Sequence, residues 1–180
     1  MADTMRTIAQ LETILADNLT GAISAQDLRD AIIASIHPGY AEMSVTASAA
    51  TTLDDTSTWV KVGGTWTLTD ARPHWSMAVN GLLDFTEAAD REVHVMATVS
   101  FTVVGNGQQC QFAIAKNGTI ISQSIIQRYV GTGADVGAAA VVGHADISTG
   151  ETISLMCRNI TSAGDITAIF ANLIVTDHAA

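Results

Sequence analysis

Charge is scarce in this chain. Only 14% of its 180 residues are charged, while 48% are apolar. Disordered chains show the reverse balance, so a packed core is expected. So little charge also leaves little to solvate a monomer's surface, which points to some surface covered by sister copies or a partner. Basic residues are the scarcer kind: 8 Lys and Arg stand against 18 Asp and Glu, a formal net charge of -10. That balance repels phosphate backbones and anionic lipid, so neither nucleic acid nor a membrane is expected as a partner. No apolar run reaches the ~18 residues of a membrane span. Asp3, Thr4 and Arg6 occupy the place of a secretory signal's opening regions, so no export signal is visible. The N-x-[ST] triplets at Asn18, Asn117 and Asn159 are then not expected to carry sugar.

Catalytic and metal-binding patterns are missing as well. Cys110 and Cys157 are the only cysteines; they form no CxxC and read as buried apolar thiols. The five histidines, His37, His74, His94, His144 and His178, show no metal-ligand spacing. His94 and His144 fall in strands and read as surface or interface side chains. No G-x-S-x-G elbow occurs. Gly105-x-Gly107 and Gly131-x-Gly133 are too short for a phosphate loop. Asp54-Asp55 is a weak calcium candidate, since adjacent carboxylates usually point apart. Asp84, Glu87, Asp90 and Glu92 around Arg91 read as a solvated acidic connection. Trp59, Trp66 and Trp75 fit a core or a subunit seam better than a sugar platform. No cofactor and no enzymatic activity are expected.

What is present divides the chain in two. Over residues 1–38, Ile8, Leu11, Ile14 and Leu15 recur at helical spacing, and Thr20-Gly21 ends that run. Ser24 to Asp27 resembles a capping box, and Leu28, Ile32, Ile33 and Ile36 mark a second helix that His37-Pro38-Gly39 stops. A hairpin of two three-turn helices cannot hold itself together in water. It must pack on its own β-domain, clasp sister chains, or dock elsewhere. Ile8, Leu11, Leu15, Leu28 and Ile32 are its candidate docking residues.

Residues 40–180 change period. Val93, Val95, Ala97, Val99, Phe101 and Val103 alternate with His94, Met96, Thr98, Ser100 and Thr102, a half-buried strand. Asn117-Gly118 marks a hairpin between the strand of Cys110, Phe112 and Ile114 and the run Thr119 to Tyr129. Further strands are expected over Met43–Ala49, Trp59–Val62, Thr65–Leu68, Trp75–Phe85, Val136–Ala145, the Ile153–Cys157 run and Ile166–Val175. Eight or more short strands mean a sandwich or barrel. The last strand places Ile166, Ala168, Phe170 and Ile174 on one face and Ile169, Ala171, Leu173 and Val175 on the other. Apolar on both faces, it is covered twice. The second cover is either a neighbouring subunit or simply the rest of a single chain.

Several segments carry a resemblance. Leu15 to Asp30 resembles a short helical hairpin near the N-terminus of phage structural proteins. Asn80-Gly81-Leu82, Ile114 to Gly118, Ser148 to Leu155 and Cys157 to Ile160 are similar to phage-encoded jelly rolls related to tumour necrosis factor and the complement globular head. Gly150-Glu151 departs from the glycine-aspartate expected there, and Trp59 and Trp66 around Gly63-Gly64 have no counterpart. The resemblance implies a mainly β, antiparallel jelly-roll sandwich behind the hairpin. It implies a homotrimer packed through one apolar sheet face, with Phe170, Ile174, Leu173 and Ile169 as interface candidates. It also implies a virion part: a capsid decoration or head-fibre protein bound to the major capsid protein, or else a carbohydrate- or receptor-binding tail or baseplate tip.

Overall fold

The structure is a computed structural model and describes residues 39–179, apart from 73, 89, 133 and 134. The expected helical hairpin, with Ile8, Leu11, Leu15, Leu28 and Ile32, lies outside the described residues. The described residues form thirteen strands: β1 (Tyr40–Ala47), β2 (Ala50–Thr51), β3 (Val60–Lys61), β4 (Thr65–Ala71), β5 (Trp75–Val79), β6 (Leu82–Phe85), β7 (Arg91–Val103), β8 (Gln108–Lys116), β9 (Thr119–Ile120), β10 (Ile126–Val130), β11 (Gly137–Ile147), β12 (Thr152–Asn159) and β13 (Ile166–Ala179). They build two antiparallel sheets. The first runs β11-β7-β13-β1-β4, with β2 on β13. The second runs β10-β8-β12-β6-β5, with β3 on β12 and β9 on β8.

β7 shows why these residues make strands. Its β-branched and aromatic side chains at every second position are buried, and those between are partly or fully exposed. The inward residues meet β8 from the other sheet: the Phe101 and Phe112 rings lie 4.6 Å apart, tilted by 58°. Met43, Leu83, Phe85, Ile153, Leu155, Ile166 and Leu173 fill the rest of the core. Gly137 lets β11 close over it, since a Cβ there would fall 2.6 Å from the Phe101 ring.

Three boundaries differ from the sequence expectation. The run Trp75–Phe85 is two strands, because Asn80 and Gly81, at φ 74°, turn the chain. The run Thr119–Tyr129 breaks at a 3-10 turn over Ser122–Ser124, where the Ser124 hydroxyl accepts the Ile114 amide at 2.9 Å. The third difference lies in β13. Its pairing with β7 jumps from Ala168↔Phe101 to Phe170↔Ser100, leaving Ile169 as a bulge. The bulge reverses the expected alternation. Ile166, Ala168, Ala171, Leu173 and Val175 all point into the core, and Phe170 turns outward.

Candidate functional site: the outer face of the first sheet

Register fixes what the outer face of β11, β7, β13 and β1 presents. At one end lies a row of Asp146, Glu92 and His178. Next comes His144, His94, Thr176 and Tyr40. The third row is Val142, Met96, Ile174 and Glu42, the fourth Ala140, Thr98, Asn172 and Ser44, and the fifth Ala138, Ser100 and Phe170. The third row is apolar at its centre and the fifth ends on Phe170, although this side of the strands faces away from the core. Phe170 is 71% exposed, Val142 63% and Met96 52%. Beside Phe170 an open groove of about 650 Å3 runs between Ser44, Thr98, Ala140 and Asn172. An exposed apolar sheet face of this kind offers burial to whatever covers it.

The interface candidates divide on this map. Phe170 and Ile174 stand on the outer face. Leu173 is fully buried in the core and has no outward surface to give. Ile169 sits half-buried in the bulge. Met96 and Val142 belong to the face and were missed as candidates. Their signal was an apolar side chain in the register otherwise taken by His94, Thr98 and Ser100.

Charge is confined to the margin of this face. The His94 ring meets the His144 ring edge-on at 4.9 Å and the His178 ring at 5.5 Å. His144 Nε2 is 2.5 Å from Glu92 Oε1. Glu42 accepts hydrogen bonds from the Tyr40 hydroxyl at 2.9 Å and from the Asn172 amide. Among the described residues, no group of three His, Cys, Asp or Glu side chains is arranged to hold a metal ion.

A second set of titratable groups is buried where the chain enters the domain. Asp177 is fully buried on the inner side of β13. It accepts the Gly39 amide at 3.0 Å and the Trp75 indole N–H at 2.8 Å, and His74 Nδ1 lies 3.2 Å away. The other ring nitrogen of His74 is 3.0 Å from Glu87. Burial works to raise the Asp177 pKa, but the His74, Trp75 and Gly39 hydrogen bonds outweigh it and hold the carboxyl below its usual range. His74 occupies φ 88°, a conformation that costs a non-glycine residue about 1–3 kcal/mol, so its neighbours hold it there. A Cβ on Gly39 would fall 1.9 Å from Asp177 Oδ2, so only glycine fits. Among the described residues, this cluster ties the start of β1 to the end of β13 and to the loop before β5.

The remaining candidates are already engaged. Asp55 accepts four hydrogen bonds from the backbone and hydroxyls of Ser57 and Thr58, which hold its pKa far below normal and commit it to its own loop. Asp84 accepts the Ala78 amide at 2.7 Å. With Glu87 on His74 and Glu92 on His144, the acidic connection is divided among separate partners. Arg91 turns inward and is buried. Cys110 and Cys157 are free thiols in the core, each pushed up to about 12 by burial. Trp66 and Trp75 are buried, while Trp59 is half-exposed beneath the Arg158 guanidinium at 4.6 Å. Among the described residues, no helix is long and apolar enough to cross a membrane.

No protein-family model and no curated protein matches the chain. Solved structures do. Murine APRIL, crystallised at pH 5.0, matches 77% of this chain over 98% of its own, with a TM-score of 0.50 and 9% identity. Eiger TNF from S. frugiperda matches 77% over 92% of its own chain, with a TM-score of 0.46 and 10% identity. At such identity the likeness is one of fold: the sandwich is a tumour-necrosis-factor-like jelly roll.

Proposed function

We propose that this chain is a non-enzymatic structural subunit that forms a homotrimer through the outer face of its first sheet, and that the trimer decorates a phage capsid from outside. The observation that carries this is the Phe170, Met96, Val142 and Ile174 surface, apolar where a solvated sheet face is normally polar. The occupant is a second copy of the chain. The groove is lined mainly by small side chains and carries no charge of its own, as a dry seam between subunits needs. The acidic exterior keeps decorated particles apart, and the short N-terminal hairpin expected over residues 1–38 serves as the capsid-docking element through Ile8, Leu11, Leu15, Leu28 and Ile32. The phage assignment rests on the sequence resemblance, since the comparisons speak only to fold. The absence of catalysis is supported by thiols that burial keeps protonated and by carboxylates tied to separate partners.

Light scattering on the full chain and on Phe170→Glu tests the seam. A trimer that becomes a folded monomer with Phe170→Glu is expected; a monomeric full chain removes the reading. Particles lacking the protein, heated beside decorated ones, test the capsid role: decoration is expected to raise the temperature at which the shell opens.

A carbohydrate-binding tail or baseplate tip is the second reading, favoured by one observation. Trp59 is the one tryptophan left half-exposed, and an exposed indole stacks on sugar rings. Arg158 already covers one side of it. Binding on a glycan array that Trp59→Ala abolishes would select this reading instead.

A further inference from the structure

We propose that the outer face is proton-sensitive, with His94, His144 and His178 as its sensor, so that acid loosens the assembly. This rests on the self-association reading above and adds regulation to the same surface. The three imidazoles come from three neighbouring strands: His94 and His144 stand next to the apolar row of Val142, Met96 and Ile174, and His178 lies one row further out. A seam that covers that row also covers or closely faces the rings. Their edge-on contacts at 4.9 and 5.5 Å suit neutral imidazoles, which pack as aromatic rings do. Protonated, the same rings would place like charges about 5 Å apart in a surface being taken out of water.

The facing groups decide how many protons are tolerated. On β7, the Glu92 carboxylate pairs with His144, and Glu92 also stands in register beside His178. On β11, Asp146 stands in register on the other side of Glu92. Lys116, from the second sheet, reaches the Asp146 carbonyl, but its ammonium is paired with Glu151 at 3.0 Å. On β1, Glu42 is already engaged by Tyr40 and Asn172. The turn beyond β9 offers only Ile121 and Gln123 to the hollow that His94 and His144 share. One proton is therefore compensated. Among the described residues no carboxylate pairs with His94 or His178, so further protons are not.

The direction of the pH effect separates this device from the charge of the whole chain. Moving from neutral pH toward the isoelectric point of about 4.6 removes net negative charge from every copy. By itself that weakens the repulsion between copies and tightens assembly. The histidines act oppositely. If assembly disfavours their protonated forms, forming the seam releases protons, and assembly weakens as pH falls through the imidazole range.

The test is sedimentation equilibrium at about pH 8 and about pH 5.5, on either side of ordinary imidazole titration. It is run on the full chain, on the triple variant His94→Gln, His144→Gln, His178→Gln, and on His94→Gln alone, with circular dichroism confirming the fold. The expected result is an assembly at pH 8 whose dissociation constant rises by about tenfold or more in acid, a dependence the triple variant loses or reverses. Should the triple variant misfold, loss of at least half the logarithmic change in His94→Gln decides in its place. An assembly that tightens or stays unchanged in acid overturns the inference and leaves the seam standing, as does a triple variant that loosens like the natural chain. A monomer already at pH 8 overturns the seam itself, and the inference with it.

Discussion

A carboxylate without exposed surface is costly unless its oxygens are bonded, and Asp177 has them bonded from three directions. Replacing it by Asn leaves His74 without the carboxylate at its Nδ1. Asp177→Asn is expected to cost about 3 kcal/mol, read as a fall in the urea midpoint. The pH dependence has a definite sign. Because the folded-state pKa of Asp177 lies below its unfolded value, the stabilisation is fully present above about pH 4 and is lost as pH falls through the lowered folded value. Urea titrations at neutral pH and near pH 3 should show this loss in the natural chain and less of it in Asp177→Asn. Cys110 and Cys157 lend themselves to a simpler measurement. With both thiols pushed up to about 12, the native protein should resist a thiol reagent at neutral pH, and both should react once urea unfolds it. The sequence announced the burial of these cysteines by the lack of any CxxC or metal-ligand pattern and, for Cys110, by the alternating face it shares with Phe112 and Ile114. It announced nothing of Asp177, because His74 and Glu87 lie about a hundred residues away and only the closed sandwich brings them together.

Among the elements, β7 was legible and β13 was not, for one physical reason. Alternation can be read where one face is apolar and the other polar, as with Val93 to Val103. In β13 nearly every residue from Ile166 to Val175 is apolar, so a one-residue bulge leaves no trace in the pattern. Hence the interface candidates were drawn from both faces, and Leu173 lies in the core. The bulge makes its own prediction. Deleting Ile169 leaves Ala168 inward, Phe170 outward and Ala171 inward, a regular strand with the same two faces. This deletion should yield a folded protein weakened by about 1 kcal/mol, most of it the half-buried isoleucine, and thermal melting checks it. Collapse of the fold would mean that the bulge itself shapes the sheet. Gly137→Ala, by contrast, pushes a methyl into Phe101 and should cost about 1–3 kcal/mol despite its conservative chemistry, again read by melting.

For the molecule as a whole, the sequence showed a surplus of apolar residues over what one core absorbs, and the outer rows of the first sheet show where the surplus lies. The choice of Phe170 and Ile174 for that face came from a family resemblance. The share of Met96, Val142 and the histidines needed the register of three strands, which no single segment encodes. If these rows form a seam, assembly should depend weakly on salt at its apolar centre and more strongly at its histidine margin. Met96→Glu should therefore dissociate the trimer at any ionic strength, which light scattering over a salt series would show.

The joint at Gly39 and Asp177 also has a mechanical consequence. β1 begins and β13 ends at the same end of the sandwich, as antiparallel neighbours with Tyr40 opposite Thr176. A pull applied between residues 39 and 179 therefore peels the two strands apart like a zipper, and their hydrogen bonds break one after another. A pull between residues 40 and 166 loads the same strand pair in shear, and its bonds resist together. In single-molecule stretching the first geometry should yield at distinctly lower force than the second. Strain applied through residues 39 and 179 would therefore open the domain at the Gly39 joint first.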